Sequence, residues 1–373
     1  MIVVRGHTLA GMAAAARLAR LGHPVTLTGD PVRPRILDFF ELPAAWRDLF
    51  KKSGRPLPGE LIRLGAAVVA APPTTHLLPD GTELVLPSSR GGQWTAIEHT
   101  FGRDQSENWR RLVDDLDDVW AALRRFGAEA PGRPEAADDR RALWLDRTIT
   151  DVADRAGPLA PVVLAQAHFA GTDSRKAPGL VAAGLSVVRT FGRHQLIRDD
   201  APLPGTTLTD LLTRRLEERG VRLAADDEAD GEHELDCRPQ LPRKWFRKPR
   251  PALAPRATEA EPGEEADLVD HTGDAPVRTL RTRARAVVLD YRDTSPGLAA
   301  GIAPDDARRW LMRPTPDATR ASSASPAGGE PWAELLSGAL AVYDLHERLT
   351  GEDARPTNVD FKLPRIHAPR TAT

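Results

Sequence analysis

Three residues near the start of the chain have a spacing that brings backbone close to a phosphate. Gly6, Thr8 and Gly11 follow the apolar run Ile2–Arg5. In the pattern G-x-G-x-x-G the first glycine permits a tight turn, the second admits a pyrophosphate, and the third lets a helix pack on a strand. Thr8 replaces the second glycine, and its side chain narrows the space through which a pyrophosphate approaches the backbone. Its hydroxyl, however, can bond a phosphate oxygen. The pattern predicts a weakened dinucleotide site.

The same site requires an acidic side chain about 20 residues further on, where it would hold the ribose hydroxyls. Gly29 stands at that position, and Asp30 follows one residue later. A one-residue shift in register would bring Asp30 into place. Without that shift, the glycines serve only the turn and the packing of a strand-helix-strand unit. The motif leaves both interpretations open.

A second pair of glycines precedes the last helical pattern of the chain. Gly328, Gly329 and Glu330 lead into a helix that begins at Pro331. The start of a helix carries unpaired N–H groups and a positive dipole end, which favour an anion. These three residues are therefore the second group of predicted cofactor-binding residues. The alternative is a helix with an ordinary Gly/Pro start.

The remaining titratable residues do not form a catalytic or metal-binding pattern. His194 is a candidate proton acceptor and His168 is a similar one, but a hydrogen-bonded structural role is the more common one for such histidines. The histidines lack metal-ligand spacing, and Cys237 is the only cysteine. A single cysteine excludes an internal disulfide and fits a reducing compartment. We predict no metal site and identify no catalytic residue.

Composition places the chain among ordinary soluble proteins. It has 373 residues, 41% hydrophobic and 28% charged, with a formal net charge of −2. This charge gives no global attraction for nucleic acid or an anionic membrane. The apolar runs are too short to cross a bilayer, and no signal peptide is evident. We expect a cytoplasmic protein, and its abundant Arg, Ala and Pro indicate a GC-rich bacterial genome.

Periodicity predicts an α/β fold with a discontinuous first domain. Alternating strand and helix patterns over the first thirty residues form a βαβ unit, whose strands must be parallel. A β-hairpin is predicted over His76–Leu86, around a Pro-Asp-Gly turn. Further helical patterns cover Leu42–Leu64, Asp104–Phe126, Thr148–Phe169, Thr206–Arg219 and Pro331–Leu349.

The predicted domains follow these patterns. A cofactor-binding domain combines residues 1–55, 200–224, 266–295 and 315–350, and residues 56–199 form a mostly helical substrate domain. Residues 225–265 are charged and rich in proline, which predicts a mobile insertion. Within and beside it, the basic segment 236–256 is a candidate docking site for a protein partner, and 351–373 is an extended tail.

The order of these segments resembles the phytoene desaturase branch of the FAD-dependent amine oxidase and oxidoreductase superfamily. The resemblance rests on the opening βαβ unit and on the stretches "LPAAWRDLFKKSGRPLPGEL", "HLLPDGTELVLP", "RTFGRHQLIRDDAPLPGTTLTDLLTRRLEERGVRL" and "RASSASPAGGEPWAELLSGALAVYDLHERLTG". It implies a Rossmann-like FAD/NAD(P)-binding domain with a reduced substrate domain. It also implies FAD held by Gly6, Thr8, Gly11, Asp30, Gly328, Gly329 and Glu330.

The chain departs from that family where the flavin would be held. Residues 29–43 are too few for the family's flavin-lining turns, and only residues 291–320 stand where it has several further strands. Ala321-Ser322-Ser323 stand near the place of its Gly-Asp pair. The resemblance implies an oxidoreductase that abstracts hydride from a small apolar or amine molecule. Two alternatives stay open: a non-catalytic descendant acting as a binding or scaffold subunit, and a nicotinamide dehydrogenase using Gly6–Gly11 alone.

Overall fold

The structure is a computed structural model that describes most of the chain. The described residues are 1–31, 38–130, 134–226, 228–238, 250–283, 285–296, 302–305, 310–311, 313, 315–321, 325–326 and 328–355. Their helices are α1 (Leu9–Arg20), α2 (Pro43–Ser53), α3 (Leu57–Arg63), α4 (Arg90–Phe101), α5 (Arg103–Leu123), α6 (Ala137–Ala142), α7 (Ile149–Ala153), α8 (Ala160–Phe169), α9 (Ala183–Phe191), α10 (Thr206–Glu218) and α11 (Pro331–Thr350).

The strands of the described residues form three sheets. In chain order they are β1 (Ile2–Arg5), β2 (Val25–Thr28), β3 (Phe40–Glu41), β4 (Ala66–Ala70), β5 (Thr74–Leu77), β6 (Glu83–Leu86), β7 (Arg193–Arg198), β8 (Ala201–Pro202), β9 (Arg222–Ala224), β10 (His233–Asp236), β11 (Leu253–Ala260), β12 (Asp267–His271), β13 (Val277–Arg281) and β14 (Ala286–Pro296).

The first sheet is parallel and has the order β10-β1-β2-β9. β1 and β2 are almost wholly buried, because a parallel sheet covered on both faces needs apolar side chains on both. α1 connects these two strands and packs against α10 and α11. The predicted βαβ unit is confirmed, and the carboxyl ends of the strands converge on the turn that carries Gly6.

The second sheet is mixed, with six strands in the order β11-β14-β13-β12-β5-β6. The predicted hairpin is confirmed as β5 and β6, with Gly81 at φ +87° in the turn. β12 pairs in parallel with β5. Residues 266–295 therefore belong to the same sheet as β5 and β6 of the predicted substrate domain. They do not join the parallel sheet of the predicted cofactor domain. The domain boundaries themselves stay predictions.

The structure differs from the mobile insertion expected over residues 225–265. β10 lies inside the parallel sheet next to β1, and Leu235 is fully buried there. β11 pairs along its length with β14, although most of its side chains are exposed. Backbone hydrogen bonds with distant strands order these segments, and side-chain hydrophobicity alone does not reveal such pairing. Part of the basic segment, residues 239–249, lies outside the described residues.

The helices α4 to α9 form a layer beside these sheets. α5 is the long amphipathic helix predicted from its apolar stripe, and it packs on α4 and α9. The helix predicted over Thr148–Phe169 is divided into α7 and α8 because Gly157 adopts φ +57° before Pro158. A short third sheet has the order β3-β7-β4, with β8 pairing onto β7, and its strand β3 contacts α9. The substrate side is therefore richer in strands than the mostly helical domain that we expected.

Candidate functional site

The turn between β1 and α1 keeps the close packing that its two glycines predict. Gly6 has φ +104°, and a Cβ atom there would lie 2.7 Å from the Arg238 nitrogen. A Cβ atom at Gly11 would lie 2.0 Å from the Gly6 oxygen. Because backbone occupies both places, neither position accepts a side chain without a shift of the main chain. Packing alone thus requires both glycines.

Thr8 uses its hydroxyl within the protein. It is the N-cap residue of α1, and its Oγ1 accepts a hydrogen bond from the Gly11 nitrogen at 3.1 Å. The same hydroxyl donates to the Cys237 carbonyl at 2.9 Å. The side chain is 5% exposed. The threonine therefore links α1 to the segment after β10, and the proton that could reach a phosphate is already donated.

A carboxylate of α11 lies at the start of α1. Glu334 Oε2 accepts a hydrogen bond from the Ala10 nitrogen at 3.4 Å, and Glu334 is 8% exposed. The two helices approach closely because Gly338 has no side chain: a Cβ there would lie 2.7 Å from the Ala10 oxygen. The two helix starts are thus adjacent in space, and an internal anion occupies the amide end of α1.

The ribose end of the predicted site has a different acid from the one expected. Asp30 is exposed, and Gly29 adopts φ +94° at the end of β2. The carboxylate that lies there belongs to Asp226, which accepts a hydrogen bond from the Thr28 hydroxyl at 2.5 Å. Asp226 stands just beyond β9, within the charged segment 225–265 that the sequence predicted to be a mobile insertion. The signal that could have found it is its position after a parallel strand neighbouring β2.

Gly328, Gly329 and Glu330 line a cavity of about 200 Å³. Gly328 adopts φ +96°, and Glu330 is the N-cap residue of α11. Gly6, Thr8 and Gly11 do not line this cavity. The structure therefore places the two predicted groups of cofactor-binding residues at neighbouring helix starts but brings only the second group to the cavity wall.

The cavity walls are largely apolar and aromatic. The apolar part of the wall comes from α5, α8, the turn before α9, α9, the segment before α11 and α11 itself, and its side chains include Trp120, Phe169, Leu180, Val187, Trp310 and Trp332. The indole rings of Trp120 and Trp332 meet edge to face, with centroids 5.4 Å apart. The cavity volume lies below the roughly 300–1,000 Å³ typical of sites for drug-sized ligands. It suits a small molecule.

Two of the arginines that line the cavity are neutralised by carboxylates. Arg193 Nε lies 2.9 Å from Glu41, which also lines the cavity. Arg278 forms a two-pronged pair with Asp270, at 2.7 and 2.8 Å, and its guanidinium carbon lies 3.7 Å from the centroid of Phe169. Burial tends to raise the pKa of Asp270, but Arg278 outweighs it and the pKa is lowered.

Arg313 is the third cavity arginine and has a different environment. It is 4% exposed, and it donates to the carbonyls of Ile302 and, at 3.4 Å, of Ser325. Its Nε has no hydrogen-bond partner, and none of the described carboxylates lies within 4 Å of it. Burial lowers its pKa to about 10, which Asp305 partly offsets. It therefore keeps its positive charge at neutral pH.

The histidines considered from the sequence lie outside this cavity. Burial lowers the pKa of His194, with a further lowering from Arg47, and its ring faces Phe40 across β3 and β7. Burial also lowers the pKa of His168. Neither residue lines the cavity. The described residues contain no cluster of three or more metal-ligating side chains.

Comparisons with known proteins show the fold. No family model and no curated protein matches the chain. The chain has a fold similar to that of putrescine oxidase. A triple mutant of that enzyme with redesigned cofactor binding matches at a TM-score of 0.56 and 12% identity, covering 93% of this chain and 98% of the other. Wild-type putrescine oxidase bound to putrescine matches at a TM-score of 0.55 with the same identity and coverage.

The comparison leaves several finer expectations as predictions. It shows a putrescine oxidase-like α/β fold but not a phytoene desaturase branch. No helix within the described ranges has both the length and the apolar character needed to cross a bilayer. Ser322 and Ser323 lie outside the described residues, as do residues 239–249 of the candidate partner segment. The partner and the cellular location are untested.

Proposed function

We propose that this protein binds a small molecule in the cavity beside α11 and has lost the dinucleotide site of its fold. The observation that carries this proposal is the Glu334 carboxylate at the Ala10 nitrogen, in the place where a pyrophosphate would meet the start of α1. This is the non-catalytic descendant among the alternatives that the sequence left open. The residues present at the start of α1 do not fit FAD.

The misfit is electrostatic and steric. A pyrophosphate beside the buried Glu334 carboxylate would bring like charges together, and each such pair at about 4 Å costs about 4 kcal/mol at an effective dielectric constant of 20. Thr8 adds a β-branched side chain where the fold needs a glycine, and its hydroxyl is bonded to Cys237. Neither obstacle is at the protein surface, because both side chains are buried.

The ribose end does not compensate for this loss. Asp226 accepts the Thr28 hydroxyl, and its main-chain oxygen accepts from Arg5 at 2.9 Å. Asp226 thus already links the ends of β1 and β2, through its main-chain oxygen and its carboxylate respectively. Asp30 is exposed, and its side chain forms no hydrogen bond or ion pair with the described residues. A dinucleotide would have to break existing bonds at both ends.

The proposal is tested by the flavin content of the native protein. We expect purified protein to lack absorbance near 450 nm and to release no flavin on denaturation. We also expect that FAD at about 100 μM leaves the melting temperature unchanged, since a ligand that binds only the folded state would raise it. Putrescine oxidase is the positive control for both measurements. Stoichiometric FAD in the native protein would overturn the proposal.

A second function is favoured by one observation. The starts of α1 and α11 are adjacent, and an apolar cavity opens beside Gly328 and Gly329. This arrangement supports an FAD-dependent oxidoreductase related to phytoene desaturases, acting on a small apolar or amine molecule in the cavity. The spectrum that contradicts the first proposal would support this one, and turnover of such a molecule would establish it.

A further inference from the structure

We propose that the cavity ligand is a small carboxylate with an apolar body, and that Arg313 binds its carboxylate group. This inference rests on the proposed small-molecule function and names the class of ligand. It starts from a buried positive charge that has no carboxylate partner among the described residues. Arg313 lines the cavity from the segment before α11.

Buried arginines elsewhere in the described chain all have an ion pair. Arg17 lies 2.6 Å from Asp48, Arg189 lies 2.8 Å from Asp114, and Arg215 lies 2.5 Å from Glu60. Arg313 is buried to the same degree, but no carboxylate in the described part of the chain pairs with it. A buried charge is costly unless it is paired. The exception therefore lies where a ligand can provide the missing anion.

The acids near Arg313 do not form that pair. Asp305 acts on its charge from beyond ion-pair distance and accepts a hydrogen bond from the Thr172 hydroxyl at 2.8 Å. Glu330 also lines the cavity, and none of the ion pairs between described residues joins it to Arg313. Glu41 and Asp270 are engaged by Arg193 and Arg278. None of the described carboxylates therefore forms an ion pair with Arg313, although Glu330 and Arg313 both line the cavity.

The unsatisfied groups in the cavity wall are donors. Arg313 Nε and Trp120 Nε1 are both buried, both belong to residues that line the cavity, and both lack a partner. A guanidinium has five N–H donors, and the carbonyls of Ile302 and Ser325 take two of them. The guanidinium thus has donor capacity beyond its two carbonyl bonds, and a carboxylate matches its planar set of donors.

The rest of the wall determines the body of the ligand. The aromatic rings and the small volume favour an apolar group about the size of one aromatic ring. Phe169 and Trp332 line the cavity and provide apolar surface against which such a group can pack. A free inorganic anion would leave these apolar walls without a contact.

The inference is tested with two pairs of probes that differ only in charge. Calorimetry at neutral pH compares phenylacetate with phenylacetamide, and hexanoate with hexanamide. We expect each acid to bind about tenfold or more tightly than its amide, the difference that a charge-assisted hydrogen bond provides. Absence of acid binding up to about 10 mM, or equal affinity for acid and amide, would overturn the inference.

Variants separate recognition from a structural role of Arg313. Arg313→Gln can still donate to the backbone carbonyls but has no charge, and we expect the preference for acid over amide to disappear. Arg215→Gln is the matched control, because Arg215 is a buried arginine remote from this cavity. We expect it to lower stability while keeping the preference.

If Arg313→Gln does not fold, Arg313→Lys provides the measurement, with an expected several-fold loss of the preference. A preference that survives in the folded Gln or Lys variant would overturn the inference. The absorbance spectrum of the same preparation shows whether flavin is bound, and it therefore tests the proposed function independently. Bound flavin would overturn that function, whereas the ratio of acid to amide affinity would still decide the role of Arg313.

Discussion

A single side chain shows how a cofactor motif can become a structural one. Thr8 stands where a glycine would admit a phosphate, and its hydroxyl instead caps α1 and bonds to the Cys237 carbonyl. These two bonds join the first turn of the parallel sheet to the segment after β10. We therefore regard the hydroxyl as part of the folded framework, in agreement with its burial.

This role predicts a stability effect for Thr8→Ala. Removing the hydroxyl leaves the Gly11 nitrogen without its cap, and loss of such a cap lowers the free energy of unfolding by about 1 kcal/mol. The lost bond to Cys237 adds to this, so we expect about 1–2 kcal/mol in total. Urea denaturation measures it. Thr8→Ser keeps the hydroxyl and is the control, with an expected loss below about 0.5 kcal/mol. Equal stability of the Ala and Ser variants would contradict this role.

At the scale of elements, the contact between α1 and α11 decides what the crevice can hold. Gly338 lets the two helix backbones approach, and that approach brings Glu334 to the Ala10 nitrogen. The close approach of the two helices therefore places a carboxylate, rather than a bound cofactor, at the start of α1. Small residues on a helix allow such approach because they leave the partner backbone room.

Gly338→Ala tests this contact. An alanine in a helix is normally more stable than a glycine by about 1 kcal/mol. At Gly338 we expect the opposite sign, a loss of about 1–3 kcal/mol, because the new Cβ would meet the Ala10 oxygen. The control is Gly91→Ala in α4, where a Cβ meets nothing within 4 Å. Thermal denaturation compares the two variants, and stabilisation by both would show that the helices do not approach so closely.

At the scale of the whole molecule, the cavity lies where the helical layer, two of the sheets and the chain before α11 come together. Its walls come from the helical layer, from the two non-parallel sheets and from the segment before α11. Arg278 of β13 links these parts, because it pairs with Asp270 of β12 and covers the ring of Phe169 in α8. Arg278 thus connects the sheet to the helical layer through Phe169, and its ion pair with Asp270 of the neighbouring strand fixes the guanidinium.

A double-mutant cycle measures the ion pair between Arg278 and Asp270. Arg278→Met leaves the Asp270 carboxylate buried and unpaired, and we expect a loss of about 3–5 kcal/mol in the free energy of unfolding. Adding Asp270→Asn removes the stranded charge, so the double variant should recover part of this loss. Guanidinium denaturation of the three variants and the parent gives the cycle. Simple additivity of the two single effects would contradict a buried pair.

Local patterns in the sequence predicted many of the helices and strands of the fold. The βαβ opening, the hairpin of β5 and β6, and the long helices α5, α10 and α11 were predicted from neighbouring residues. Such elements depend on periodicity, turns and caps within a few residues of one another. β10 and β11 were missed because their order comes from pairing with β1 and β14, which lie far away in the chain.

The candidate site shows the same division. From the sequence, the glycines of both helix starts were identified, and the departures at Thr8 and Gly29 were evident. Only the tertiary structure shows that Glu334 meets Ala10, more than three hundred residues earlier in the chain, and that Arg313 lies buried without a carboxylate partner among the described residues. Tertiary packing brings together side chains that are this far apart in the chain. Patterns among neighbouring residues do not report such contacts, because they reflect only local periodicity, turns and caps.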